Sequence, residues 1–429
     1  MLAVFQNAWK VPEIRKKLFF IIMMLAVYRI GCHIGLPGIN PDFLAPSDEN
    51  VMLIMMLMGG NQGTIFAMGI QPYITASIIM QLLTVAIPPL ERLKKEGEEG
   101  RKKINQITRV SAIGLAIVQG SATVYSMSGP FGAFRPGYQN MFVYLIAIIS
   151  IVTGTMFIMW ISELITEKGI GNGTSFIITA NILSSLPRGA MMMWGVATQN
   201  VLSGILVVFI LTLFVFIIAF TVMIQEGERR LPVQYSKKMV GKQLYGGQTS
   251  YIPVKVNIAG VMSIIFANSL LGIPQLIAGF VNNPAGWLVT WERLFRSSGP
   301  FRDSWFGAIL YVVLIFCFTF FYTSFSVNPV EMAENMKKNG GAIPGVRSGK
   351  PTSDYIQRTV TRLSWIGACF YSIVALIPLL IEWITTAFNN PVRVGFGGTT
   401  LLIVVGVCLE LVKQMESQLL TRHYKGFLS

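Results

Sequence analysis

Charge is scarce in this chain. Only 13% of its 429 residues are Asp, Glu, Lys or Arg, about half the share of an average soluble domain, and 53% are hydrophobic. A chain so poor in charge is not built to face water on all sides, which argues against an ordinary soluble enzyme or binding domain. Histidine is rarer still: His33 and His423 are too few and too scattered for a histidine metal centre. The four cysteines, Cys32, Cys317, Cys369 and Cys408, include no CxxC pair, so neither a disulfide framework nor a zinc site is indicated. No GxxxxGK[ST] occurs. "GVRSGKP" at 345–351 has the wrong glycine spacing and a Pro after the Lys, so the chain has no visible means of hydrolysing a nucleotide. HExxH, GxSxG and paired intramembrane Asp are missing too, and no enzyme activity, metal or cofactor is expected.

What is present is a succession of apolar runs of roughly 20 residues, each about long enough to cross hydrocarbon. They are too long and continuous for barrel strands, so the expected fold class is an all-α, polytopic membrane protein. Ten spans are expected, near 18–36, 66–87, 108–127, 141–162, 174–186, 201–224, 257–277, 305–326, 363–381 and 398–414. The fifth, bounded by "GNG" and "LPRG", is too short to cross alone, yet the charge pattern requires it. With both termini on one side, the opposite side holds only Arg135, Arg188, Arg293, Arg296, Arg302 and Arg393 of the 34 Lys and Arg residues, and Arg29 lies inside the first span. By the positive-inside rule the basic side, termini included, is cytoplasmic.

Three cytoplasmic loops stand out. Residues 88–109 read as a solvated charged hairpin with a helical start. Residues 225–256 carry alternating "LPVQYSK" and "SYIPVKV" around a Gly-Gly turn, which predicts a β-hairpin. Residues 328–362 read as a short helix, a glycine break and an extended basic tip. Anchoring needs only a few residues, so the length of the last two suggests docking surfaces for a large anionic partner, RNA or an acidic protein face.

Function in a membrane protein shows where polar groups sit at depth. An ion-coupled transporter, the main competing reading, should place carboxylates or His at mid-membrane. Here Glu163, Glu382 and Glu410 lie near span ends, and the deep polar residues are uncharged: Gln71, Thr75, Ser77, Gln81, Thr108, Asn257, Ser263, Asn268 and Ser269. Hydrogen bonds among such groups are worth about 0.6 to 2 kcal/mol each, weak enough to open. Isoleucines recur beside small or helix-breaking residues in "GIQPYI" (69–74), "GNGTSFII" (171–178), "SIIF" (263–266) and "GGTTLLI" (397–403). Converging on one constriction, they would shut a pore by excluding water.

The residues at this point resemble those of the SecY family, the central subunit of protein-conducting channels. The likeness runs through "FAMGIQPYITASIIMQLL" (66–83), "KKEGEEGRKKINQITR" (94–109), "TGTMFIMWISELITEKGIGNGTSFII" (153–178), "PVKVNIAGVMSIIFANS" (253–269), "NPVEMAENMKKNGGAIPGVRSGKPTSDYI" (328–356) and "FGGTTLLIVV" (396–405). It implies two inverted five-helix halves, 1–190 and 191–429, around an hourglass pore in the cytoplasmic (inner) membrane. It also implies a passive channel that passes unfolded secretory polypeptides across the membrane and releases apolar segments sideways into the lipid bilayer.

The same resemblance implies roles for particular residues. The first half of the broken second span becomes a plug, a short, marginally held helix at about 55–70 that includes Gly59, Gly60, Asn61, Gln62, Gly63, Thr64, Ile65 and Phe66, with Pro72 starting the helix proper. The pore ring falls on Ile70, Ile74, Ile178, Ile265 and Ile403, with Thr174 at a sixth position that is commonly apolar in relatives. A lateral gate between the second and seventh spans has Thr75, Ser77, Gln81, Thr108 and Asn257 as candidate polar contacts. In the docking loops Arg229, Arg230 and Arg347 match positions of partner contact, with Lys237, Lys238 and Lys350 beside them. The implied partners are the small SecE and SecG subunits, the SecA motor ATPase, and the ribosome through its rRNA and proteins.

Overall fold

The computed structural model describes residues 9–40, 63–128, 134–135, 140–198, 201–235, 238–240, 243–245, 249–278, 286, 305–387 and 398–425. Ten helices fall on the ten expected spans: α1 (Pro12–Gly31), α2 (Gln71–Ala86), α4 (Glu98–Ser128), α5 (Met141–Lys168), α6 (Gly173–Ala197), α7 (Val201–Glu226), α8 (Met262–Ala278), α9 (Trp305–Ser326), α11 (Lys350–Ala387) and α12 (Gly398–Lys425). Two short helices, α3 (Pro88–Lys95) and α10 (Pro329–Lys338), lie in loops. Five strands, β1 (Glu228–Tyr235), β2 (Lys238–Val240), β3 (Gln243–Tyr245), β4 (Thr249–Lys255) and β5 (Gly341–Ala342), follow α7 and α10. The protein is a multi-pass membrane protein. Six of its helices are individually long and apolar enough to cross a membrane among the described residues.

Local chemistry explains the element ends. Pro88 pushes Ile87 out of the helical region, to φ −110° and ψ 112°, and α2 stops there. The chain then bends by 99° into α3. Lys95 donates to Glu91 Oε1 at 2.7 Å, a hydrogen bond that holds the Glu91 carboxyl below its ordinary range. So charged a helix as α3 belongs in water or among headgroups and does not prolong the span. Gly97, at φ +80°, turns the chain into α4. A Cβ on Gly100 would run into the Leu93 carbonyl, so α3 and α4 cross at close range.

Three expectations change. The fifth span is 25 residues long because α6 continues through Pro187, which had read as a terminator. A stop in mid-membrane would strand several backbone groups in hydrocarbon, whereas the proline forfeits one bond. The hydroxyls of Ser184 and Ser185 donate to the carbonyls of Asn181 and Ile182 just before it. The charged hairpin at 88–109 is two helices, with α4 beginning ten residues ahead of its span. The basic tip at 328–362 is also less extended than expected, because α11 starts at Lys350.

The chain forms two compact units. The first comprises Met1–Met192, Leu271–Ser298 and Val407–Ser429, and the second Met193–Leu270 and Gly299–Gly406. In the first, Ile14, Leu18 and Ile21 of α1 pack with Ile158, Ile161 and Ile165 of α5 and Met415 of α12. Ala76 of α2 meets Ala112 of α4, two small side chains that let the helices approach closely.

In the second unit, β1 pairs antiparallel with β4 in the register Leu231↔Ile252 and Val233↔Ser250, so the two expected strands pair; the short β2–β3 pair intervenes between them, and the expected Gly-Gly turn lies outside the described residues. β5 adds on the other side through Gln234↔Ala342 and Tyr235↔Gly341. The two long basic loops are therefore one three-stranded sheet. Its inner face, Leu231, Val233 and Val254, closes over Met336 of α10 and over Ile356, Val360 and Leu363 of α11. Because Ile356 is fully buried in that core, Ile356→Ala should cost about 2–5 kcal/mol of local stability. Limited proteolysis of membrane vesicles should then cut within 225–256 as well as within 328–362, at several times the wild-type rate.

Candidate functional site

Residues 63–70, the described part of the expected plug, form a run of turns with no helix. Gly63 and Gly69 take left-handed conformations, at φ +86° and +55°. The ribbon is stitched to the chain after α1: Ile65 N–H donates to the Ile34 carbonyl at 3.0 Å, and Leu36 N–H donates to the Gly63 carbonyl at 2.8 Å. Phe66 is buried and stacks on Tyr28 at 5.9 Å and Phe157 at 6.1 Å. A Cβ on Gly31 would occupy the space of its ring, and one on Gly154 would collide with Ile65. Burial of an aromatic ring contributes about 1.5–3 kcal/mol. Gly63, Thr64, Ile65 and Phe66 thus form an anchored ribbon of turns. Gly59, Gly60, Asn61 and Gln62 lie outside the described residues.

Immediately after the ribbon α2 begins, with Pro72 in its first turn as expected. Ile70 is buried in the core of the first unit, and Ile74 and Ile178 pack at the edge of the same cluster. Thr174 lies one turn before Ile178 on α6. Its N–H donates to Asn172 Oδ1 at 3.0 Å, and its hydroxyl lies 3.0 Å from that of the buried Ser162. The polar atom that distinguishes this ring position is therefore held against α5. Gly173 permits the approach, since a Cβ there would strike the Ser162 carbonyl.

Ile265 of α8 and Ile403 of α12 belong to the second unit. A pattern joins them to Ile178: each follows a fully buried residue, Ile177, Ile264 or Leu402, and is itself part-buried. By contrast, residues on outward faces, such as Ile205, Val208 and Ile309, are 60–63% exposed. Ile74, Ile178, Ile265 and Ile403 are thus neither core nor bare exterior, whereas Ile70 lies in the core.

The five expected gate residues satisfy their polar groups close by. Thr75 donates to the Gln71 carbonyl at 3.1 Å and Thr108 to the Ile104 carbonyl at 2.9 Å. Gln81 donates to Ser77 Oγ at 3.4 Å, and Asn257 Oδ1 accepts from Gly260 N–H at 2.8 Å. Among the described residues, none of these bonds crosses from one helix to another.

Arg229, Arg230, Arg347 and Lys350 are all exposed on the composite sheet and its tip. The tip is held by Thr352, whose hydroxyl donates to the Arg347 carbonyl at 2.8 Å. Lys238 belongs to β2, and Lys237 lies outside the described residues. Two features escaped the sequence reading. One is β5, which at two residues has no periodicity to detect. The other is an ion pair between α4 and α5, Arg109 Nε to Glu163 Oε1 at 2.6 Å, whose partners are 54 residues apart with no local signal.

The fold matches solved channels along nearly the whole chain. A SecY protein whose plug domain stabilises the closed state of its translocation channel aligns with a TM-score of 0.64 at 20% identity, over 96% of each chain. Sec61 from a canine ribosome-channel complex aligns with a TM-score of 0.57 at 18% identity, again over 96% of each chain. These likenesses define a ten-helix membrane channel fold. The SecY family model matches residues 64–412, and the protein translocase subunit SecY of Streptomyces galbus is 42% identical over 446 aligned residues covering 100% of both chains. The chain belongs to the SecY family, and so is a channel component and not an enzyme.

The anchored ribbon generates a direct test. Cysteines placed at Gly35 and Thr64, which face each other across a backbone bridge, should cross-link on oxidation in resting membranes. Adding Phe66→Ala, at about 3–5 kcal/mol for a buried aromatic, should cut the yield severalfold. An undiminished yield would show that the ring does not hold the ribbon.

Proposed function

We propose that this chain is the central subunit of a passive protein-conducting channel in a cytoplasmic (inner) membrane, with both termini cytoplasmic. Its halves, 1–190 and 191–429, act as inverted repeats around an hourglass pore. Unfolded secretory chains pass through a ring of Ile70, Ile74, Thr174, Ile178, Ile265 and Ile403. Sufficiently apolar segments leave sideways past Thr75, Ser77, Gln81, Thr108 and Asn257, and a plug within 55–70 covers the resting pore.

The observation that carries the reading is the part-buried state of Ile74, Ile178, Ile265 and Ile403 on helices without a deep carboxylate. Apolar side chains that are only part-buried, yet shielded compared with outward residues, suit the wall of a narrow waist. Such a waist does not wet, and an ion that loses its hydration there is stopped, whereas an extended polypeptide slides along it. Local satisfaction of the gate hydroxyls suits the same mechanism, because helices without polar bonds between them part at little cost.

The driving force is external. Arg229, Arg230, Arg347 and Lys350, with Lys237 and Lys238, form the docking face for a SecA-type motor ATPase or for the rRNA and proteins of a ribosome. The ribosome-bound Sec61 relative supports the second partner. SecE- and SecG-type single-pass subunits complete the complex.

Two experiments test this reading. Replacing Ile70, Ile74 and Ile265 together by Gly should make resting vesicles leak ions, measured as dye-reported flux; an unchanged leak rules out the ring. Arg347→Glu should abolish motor-driven transport while the channel still inserts into the membrane. Transport at the wild-type rate would remove that tip from the docking face.

A further inference from the structure

The composite sheet and the helix that carries Ile265 are separated by only six residues, 256–261, between the end of β4 and the start of α8. That connection is fastened at each step. Val256 N–H donates to the Gly227 carbonyl at 2.9 Å, which ties it to the point where α7 passes into β1. Asn257 Oδ1 accepts from Gly260 N–H at 2.8 Å, closing a turn in which Gly260 holds φ +59°. Val261 then receives the N–H groups of both Ile264 and Ile265 at 3.2 Å as α8 opens. The turn is also packed from outside. A Cβ on Gly367 of α11 would lie 3.5 Å from the Val256 carbonyl, and one on Gly406 of α12 would lie 3.4 Å from Val261 Cγ2. Ala259, inside the turn, is buried.

We infer that Asn257 is a positioning residue, whose carboxamide stiffens the joint between the docking sheet and α8 so that load applied to the sheet by a bound partner reaches Ile265. This rests on the docking reading above, and it departs from the idea of Asn257 as a polar contact across the gate. A loose six-residue linker would absorb displacement in its own backbone torsions. A linker whose central turn is closed by a side chain and seated on two glycines moves with what it joins. The acceptor oxygen is the functional atom, since it holds the Gly260 N–H and with it the left-handed conformation.

The test uses membrane vesicles containing the complete channel complex, purified motor ATPase and a labelled secretory precursor. Motor affinity and maximal transport rate at saturating motor are measured separately. Asn257→Ala should lower the maximal rate about fivefold, the scale of one lost hydrogen bond, and leave motor affinity within about twofold. Asn257→Asp, which keeps the acceptor, should restore the rate. Gly260→Ala, whose new methyl meets nothing within 4 Å and so acts only through backbone strain, should repeat the loss. Should Asn257→Ala fail to accumulate in the membrane, Gly260→Ala carries the test. An unchanged rate, an Asp variant as slow as the Ala variant, or an affinity that falls in step with the rate would each overturn the joint. Failure of the docking reading looks different: Arg347→Glu would then leave motor affinity intact, and the joint would fall with it.

Discussion

Hydrocarbon offers no hydrogen bonds, and several hydroxyls on the helices of this protein answer that constraint by bonding to their own helix. Thr75, Thr108, Thr319, Thr323 and Ser364 each donate to the carbonyl four residues earlier on their own helix. Once hydroxyls are satisfied in this way, helices adhere through shape. Ala76 against Ala112 is a contact of that kind. Shape-based contacts separate without leaving a polar group unpaired.

Outside the membrane the opposite economy holds. The sheet of β4, β1 and β5 has water on one side and builds its stability by burying Leu231, Val233, Ile356 and Val360. Its basic residues stay on the exterior. α11 belongs to both regimes: Ile356 and Val360 serve the sheet, and Phe370 meets Phe220 of α7 at 5.5 Å further along. One helix of 38 residues, about 57 Å at 1.5 Å per residue, therefore carries both the face that covers the sheet and the aromatic contact with α7 without a hinge loop.

Much of the fold was legible because its signals are local. Apolar run length located nine of the ten span helices, the charge pattern added the fifth, and the alternation in "LPVQYSK" and "SYIPVKV" announced the paired strands. What stayed hidden depends on partners far along the chain. The first turns of α11 are polar and look like loop, since Ile356 and Val360 become a helical face only against the sheet. Residues 63–70 look like loose helix because glycine and small residues are weak formers, and the anchor that fixes them is the slot left by Gly31 and Gly154. The site divides the same way. Ile70, Ile74 and Ile178 were found by motif and gather in one cluster, whereas the Thr174–Ser162 contact and the Asn257 turn have no signal in the local sequence.

The junction of β5 with β1 carries a thermodynamic consequence. Whatever steadies one basic loop lowers the opening probability of the other, since they share strands and core. Linkage makes this reciprocal: if a ligand on the 225–256 loop alters affinity at the 328–362 tip by some factor, a ligand at the tip alters affinity at the first loop by the same factor. Two visitors to opposite ends of the sheet would therefore sense each other without touching, through the backbone of Gly341 and Ala342.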